Sequence, residues 1–197
     1  IKTLGEFEHQ AAGVDAFYNA TDRLDYCLKV VDECLHKEPY NVKELKAILG
    51  EEEFPERYLG SVHSEEILNS LKLYQRAKHV FSEAKRVLMF QEYCEYSNIE
   101  SEADLKKLGD LMNLSHTSCR VDYDCSCKEL DDVVEHCIQA GAVSARLTGA
   151  GWGGWCIAMV HGDQLESFLA KLRPLYSAQS YFVTKPAVGA CAVKNQT

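Results

Sequence analysis

The residues best suited to chemistry lie together at positions 146–154, R-L-T-G-A-G-W-G-G, where four of nine are glycine. Glycine permits positive φ and lets another group approach the main chain closely. Successive exposed N–H groups in such a loop form a nest for an anion. A phosphate held by those donors would take further help from Arg146 or Thr148. The competing reading is a tight β-hairpin whose glycines serve geometry alone, and spacing does not separate the two. The segment is not a Walker A loop, because G-x-x-x-x-G-K-[ST] is absent. It is not a dinucleotide fingerprint either, because no helical pattern follows it.

Other clusters carry less. His116, Cys119, Cys125 and Cys127 follow H-x2-C-x5-C-x-C, without the C-x-x-C pair of structural zinc sites, and read as buried thiols. Asp122 and Asp124 flank Tyr123, and alternating carboxylates need not converge, so they read as structural contacts. His79 and His116 fall in helical patterns and read as packed or surface residues. Arg76 and Lys78 lie on a polar helix face, solvated or paired across the helical layer. Trp152 either covers the glycine loop or lines a cleft. No catalytic residue and no metal ligand is assigned within the chain.

The elements that would position the loop follow from periodicity. Helical spacing runs over 14–34, with Leu24, Leu28, Val31 and Leu35 on one face, and breaks at Pro39. Asn41 with Glu44 marks the start of a short helix that stops at Gly50. Ser64 is expected to cap a long helix whose stripe is Ile67, Leu71, Tyr74, Ala77, Phe81, Ala84 and Leu88. Ser101 with Asp104, then Ser126 with Glu129, cap two further helices, the second ending at Gly141. Strands are expected at 142–148, 155–160, 180–184 and 190–193. A helix opened by Asp163 and carrying Leu165, Phe168, Leu169 and Leu172 lies between the second and third. Helices followed by a β-rich tail indicate an α+β fold, a helical layer on a small antiparallel sheet.

Composition narrows the function classes. The 197 residues carry 30 acidic and 21 basic side chains, a formal charge of −9, without the basic footprint of a nucleic-acid or anionic-membrane binder. The longest apolar run, 155–160, falls far short of the roughly 20 residues of a membrane span. Nine cysteines, an odd number in a chain long enough to bury its own core, suggest a reducing cytoplasm. The first residue is Ile1 and no signal peptide follows it, so the chain reads as beginning inside a longer protein.

The glycine segment resembles the third signature motif of the GHMP small-molecule kinases, S-R-L-T-G-A-G-W-G-G in the galactokinase branch. Residues 73–84, L-Y-Q-R-A-K-H-V-F-S-E-A, resemble the long helix of eukaryotic N-acetylgalactosamine kinases. Residues 111–131 resemble the family's L-M-x-x-S-H-x-S-x-R segment with its cysteine-rich ending, and H-K-E-P-Y at 36–40 and T-K-P at 184–186 also fit. Departures are Ala145 for the usual Ser, Trp155 for a small residue, and Ala187 and Val188 where the family carries glycines.

The resemblance implies the C-terminal lobe alone of an ATP- and Mg²⁺-dependent phosphotransferase acting on the anomeric hydroxyl of galactose or N-acetylgalactosamine. The family's first two motifs, its sugar contacts and its catalytic aspartate and arginine belong to an N-terminal lobe not represented in this sequence. The implied organisation is a helical part over 1–62 and a GHMP kinase C-terminal domain over 63–197, with a ferredoxin-like sheet. The implied phosphate-loop residues are Arg146, Thr148, Gly149, Ala150, Gly151, Trp152, Gly153 and Gly154. ATP and Mg²⁺ belong to the complete enzyme, none being held by this chain alone, and the isolated chain is expected to be inactive. The expected partners are the N-terminal lobe, ATP and the sugar, with no nucleic acid and no membrane. The alternative is a non-catalytic relative of the same fold that senses sugar and ATP or binds a partner.

Overall fold

The computed structural model describes residues 20–50, 64–96, 99 and 101–185. Helix α1, Ala20–Cys34, buries Cys27 and Val31, and the expected start of its pattern at 14 lies outside the described residues. The chain turns through Pro39, and Tyr40 pairs with Leu71 in an isolated antiparallel bridge over a small core with Leu45. Helix α2, Val42–Leu49, starts as expected: the Asn41 side chain accepts the Glu44 amide at 2.9 Å. It stops at Gly50, where φ is +82°.

The long helix expected from Ser64 is broken. A single turn, α3, Glu65–Leu68, follows Ser64, whose side chain makes no capping bond. Leu71 then gives both its amide and its carbonyl to Tyr40, at 2.8 and 2.9 Å, and these bonds remove it from any helical ladder. Helix α4 runs Leu73–Tyr96 beyond the bridge and packs on α1, with Tyr74 donating to Asp32 at 2.7 Å. Its fully buried residues are Tyr74 and His79; Ile67 and Ala84, placed on the core stripe by spacing, are exposed.

Helix α5, Glu102–Ser118, opens on a complete capping box between Ser101 and Asp104. It lies so close to the following sheet that a Cβ on Gly109 would stand 2.7 Å from Val143 Cγ1. The helix runs into a π-helical turn, Cys119–Tyr123, which ends at Asp124 in the left-handed region. Helix α6, Lys128–Ala140, starts one residue later than expected, with Cys127 as N-cap. The Ser126–Glu129 box does not form, because Ser126 Oγ donates instead to Asp131 at 2.6 Å. Gly141, at φ +110°, ends α6.

Strands β1, Ser144–Thr148, and β2, Trp155–Met159, pair antiparallel from Ser144↔Met159 to Thr148↔Trp155. A 3-10 turn, Gly162–Gln164, leads into α7, Leu165–Leu172. Asp163 therefore sits within that turn rather than capping the helix. The inner face of the hairpin meets α6 and α7 in one core: Ala145 with Val134, Cys137, Ala140, Phe168, Leu169 and Leu172. The helical layer on a small antiparallel sheet is thus observed, with two strands among the described residues. Residues 181–185 form no strand: Tyr181 packs on the core, but Phe182 and Val183 both face solvent, so no alternating face is buried. The strand expected at 190–193 lies outside the described residues. Among the described residues no helix is long and apolar enough to cross a membrane.

Candidate phosphate-loop site

Strand β1 presents its free edge to α5. The Ala145 amide donates to Asn113 Oδ1 at 3.2 Å and the Leu147 amide to His116 Nδ1 at 3.4 Å. Two side chains three residues apart on a helix thus serve two amides two residues apart on a strand, protecting an edge left open by the hairpin. Because His116 Nδ1 accepts, its proton sits on Nε2, which faces Asp131 Oδ1 at 3.5 Å. Burial pushes the His116 pKa below its ordinary value.

Arg146 points back from β1 to α4, where Nη1 meets Glu83 Oε1 at 3.2 Å. Glu83 also accepts from Ser115 and pairs with Arg86 at 2.8 Å. Burial raises the Glu83 pKa, but the Ser115 hydroxyl and the Arg86 and Arg146 guanidiniums outweigh it and hold the carboxyl below its ordinary range. Arg146 is therefore a half-buried strut between α4 and β1, turned toward Glu83 and away from the loop it precedes.

The remaining residues singled out by sequence come together in the turn between the strands. Gly149, Gly151, Gly153 and Gly154 have φ of +83°, +88°, +137° and +91°, and Trp152 adopts +55°. The Trp152 amide donates to Cys125 O at 2.7 Å and its indole N–H to Asp124 O at 3.0 Å. These two bonds fasten the loop to the chain that follows the π-helical turn. Gly151 lies against the same carbonyl: a Cβ there would stand 2.0 Å from Cys125 O. The amides of Gly149, Ala150, Gly151, Gly153 and Gly154 have no hydrogen-bond acceptor among the described residues. Gly149, Ala150 and Gly154 are exposed, as is Thr148 at the mouth of the loop. Such a row of donors suits an anion with several oxygens.

Sequence reasoning missed the supports of this loop. Asp124 Oδ2 receives Lys72 Nζ at 2.7 Å and Arg76 Nη2 at 2.9 Å. Arg76 also donates to Asp122 O, and its guanidinium lies 5.8 Å from the Tyr123 ring centre. The Lys72 and then the Arg76 hydrogen bond hold the Asp124 carboxyl below its ordinary range. The available signal was the four-residue spacing of Lys72 and Arg76, which puts both cations on one helix face.

The other clusters are packing. Cys119 and Cys125 are buried with Leu130 and Leu147, and burial, followed by the Cys125 thiol, pushes Cys119 up to about 11. Among the described residues no group of three or more His, Cys, Asp or Glu is disposed to hold a metal ion. His79 is buried, hydrogen-bonded to Ser118 Oγ at 3.0 Å and stacked on Tyr123 at 4.6 Å. Val80, Ala84 and Val87 continue past it as an open apolar concavity on α4.

Residues 97–178, from the segment before α5 to just beyond α7, match the family model described as GHMP kinases C terminal. The chain carries a GHMP kinase C-terminal domain. Its glycine loop lies inside the matched residues. The chain is also similar to the galactokinase of Dictyostelium discoideum, 33% identical over 92% of this chain and 42% of that protein. The galactokinase of Saccharomyces cerevisiae is 35% identical over 86% of this chain and 36% of that protein. Among solved structures, Lactococcus lactis galactokinase complexed with galactose aligns over 80% of this chain and 37% of that one, at 28% identity and a TM-score of 0.45. The GHMP domain and its flanking helices thus span about two fifths of the length of these curated relatives.

Proposed function

We propose that this chain supplies the C-terminal lobe of an ATP-dependent sugar-1-kinase, which transfers the terminal phosphoryl group of ATP to the anomeric hydroxyl of galactose or N-acetylgalactosamine. The observation that carries this reading is the glycine loop, where five amides have no acceptor among the described residues, three of them on exposed residues, while the sixth, on Trp152, is fixed to Cys125 O. Phosphoryl transfer depends chiefly on positioning and on stabilising charge over phosphate oxygens. Main-chain donors held before substrate arrives do both without reorganising.

In this reading the amides of residues 149–154 form one wall of the triphosphate site and Thr148 adds a hydroxyl at its mouth. Trp152 sets the path of the loop. Arg146 contributes by bracing β1 against Glu83. The second wall, the sugar site and the catalytic base lie in polypeptide outside this chain. ATP brings Mg²⁺, whose charge neutralises phosphate oxygens when bound. The carboxylate of Asp124, whose carbonyl anchors the loop, is already engaged by Lys72 and Arg76, so no residue of this chain is assigned to the ion. The cytoplasm is the compartment proposed, supported by eight described cysteines that are all free thiols.

The test is phosphoryl transfer from ATP to each sugar, measured on the protein with its N-terminal lobe and on the 197-residue chain alone. The expected result is turnover by the former and none by the latter. Sugar-dependent ATP consumption by this chain alone would overturn the two-lobe assignment, and ATP binding without turnover by the complete protein would favour a sensor.

A further inference from the structure

We propose that Asp124 is a positioning residue that locks the glycine loop in place through Trp152, with Lys72 and Arg76 serving as its struts and not as phosphate ligands. The consequence for ATP rests on the function proposed above; the locking itself does not.

The argument starts at the backbone. Asp124 has φ +59° at the end of the π-helical turn. Aspartate and asparagine are the non-glycine residues that tolerate this region best. The left-handed residue redirects the chain, and the two successive carbonyls that follow, of Asp124 and Cys125, both receive Trp152: the indole N–H at 3.0 Å and the amide at 2.7 Å. Trp152 itself has φ +55°, a conformation a bulky side chain rarely holds unless its surroundings impose it.

What fixes Asp124 is its carboxylate. A single oxygen, Oδ2, receives Lys72 Nζ at 2.7 Å from the residue just before α4 and Arg76 Nη2 at 2.9 Å from its first turn. Arg76 spans the bend by donating its other terminal nitrogen to Asp122 O. One carboxylate thereby ties together the start of a helix 48 to 52 positions upstream, the π-helical turn and the glycine loop. Lys72 and Arg76 are both engaged in that tie, so the donors this chain offers to a phosphate are the main-chain amides of the loop and the Thr148 hydroxyl.

The Asp124→Asn variant isolates the effect, because asparagine keeps the left-handed backbone and removes the charge. In the 197-residue chain, amide hydrogen exchange at Trp152 is expected to accelerate roughly three- to tenfold, the range for losing a partly exposed charge-assisted contact. Its indole N–H resonance should move toward the solvent-exposed position, while protection of α6 and α7 stays unchanged. Lys72→Met should accelerate the same amide, and combined with Asp124→Asn it should add nothing, since one interaction is removed twice. Unchanged Trp152 exchange in Asp124→Asn, or simple additivity of the two variants, overturns the proposal.

ATP titration of the complete protein separates this from the functional reading. Half-saturation in Asp124→Asn is expected at roughly threefold higher ATP or more, measured at a temperature where both proteins remain folded, because fewer molecules hold a competent loop. If wild-type protein binds no ATP, the nucleotide assignment of the loop fails while the exchange comparison still decides the role of Asp124.

Discussion

Replacing Gly151 by alanine probes the closest contact in the site. Gly151 has φ +88°, and an added Cβ would stand 2.0 Å from Cys125 O, far inside van der Waals contact. The backbone cost of alanine at positive φ is about 1–2 kcal/mol. Relieving the overlap must also move the loop from the carbonyl that accepts the Trp152 amide at 2.7 Å. Losing that bond adds about 1–3 kcal/mol. The sum is about 2–5 kcal/mol, equivalent to a fall of roughly 4–20 °C in melting temperature for a chain of this size. Gly149→Ala is the control: φ is +83°, but nothing lies within 4 Å of its added Cβ, so only the backbone cost applies. Urea denaturation followed by tryptophan fluorescence measures both. The contact argument is refuted if Gly151→Ala is no more destabilising than Gly149→Ala.

Three further outcomes are expected. Glu83→Gln leaves the Arg146 and Arg86 guanidiniums, largely covered, without a counter-charge, and should cost about 1–3 kcal/mol of unfolding free energy in urea; an unchanged midpoint would count against the strut. The pKa values of His79 and His116 are both lowered by burial, so the unfolded chain binds these protons more readily. Their neutral forms therefore add stability above pH about 6.5 that is lost as pH falls through the lower folded-state values, seen as a falling urea midpoint from pH 8 to 5; a rising one contradicts the assignment. The Asp104 carboxyl is lowered to about 2 by the Ser101 hydroxyl, then by Tyr93, so its support for the first turn of α5 is complete above pH about 4 and is lost progressively as pH falls toward 2. Amide exchange at residues 102–105 in wild type and Ser101→Ala reports it: the variant should fray at every pH, the wild type only in acid.

Local signals in the sequence were sufficient where one residue decides the outcome. Asn41 and Ser101 cap their helices through a side-chain oxygen three residues from its partner, and Gly50 and Gly141 end theirs at positive φ. Long-range pairing was not legible. Leu71 lies on a helical stripe, yet its partner is Tyr40, 31 positions earlier, and two main-chain bonds outweigh a preference worth a fraction of a kcal/mol per residue. Ser126 found Asp131 rather than the Glu129 of its capping box. In the site, the loop residues were visible from glycine spacing and family resemblance. Arg146 turning to Glu83, and Asp124 gathering Lys72 and Arg76, depend on which faces of α4 and β1 meet, which periodicity leaves open.

The central claim, that the amides of residues 149–154 receive the phosphates of ATP, is tested most directly by amide exchange of the complete protein with and without ATP. Slower exchange at Gly149, Ala150, Gly151, Gly153 and Gly154, with Trp152 already protected before nucleotide is added, is the predicted result. Bound ATP that leaves these five amides exchanging at their free rate would contradict it.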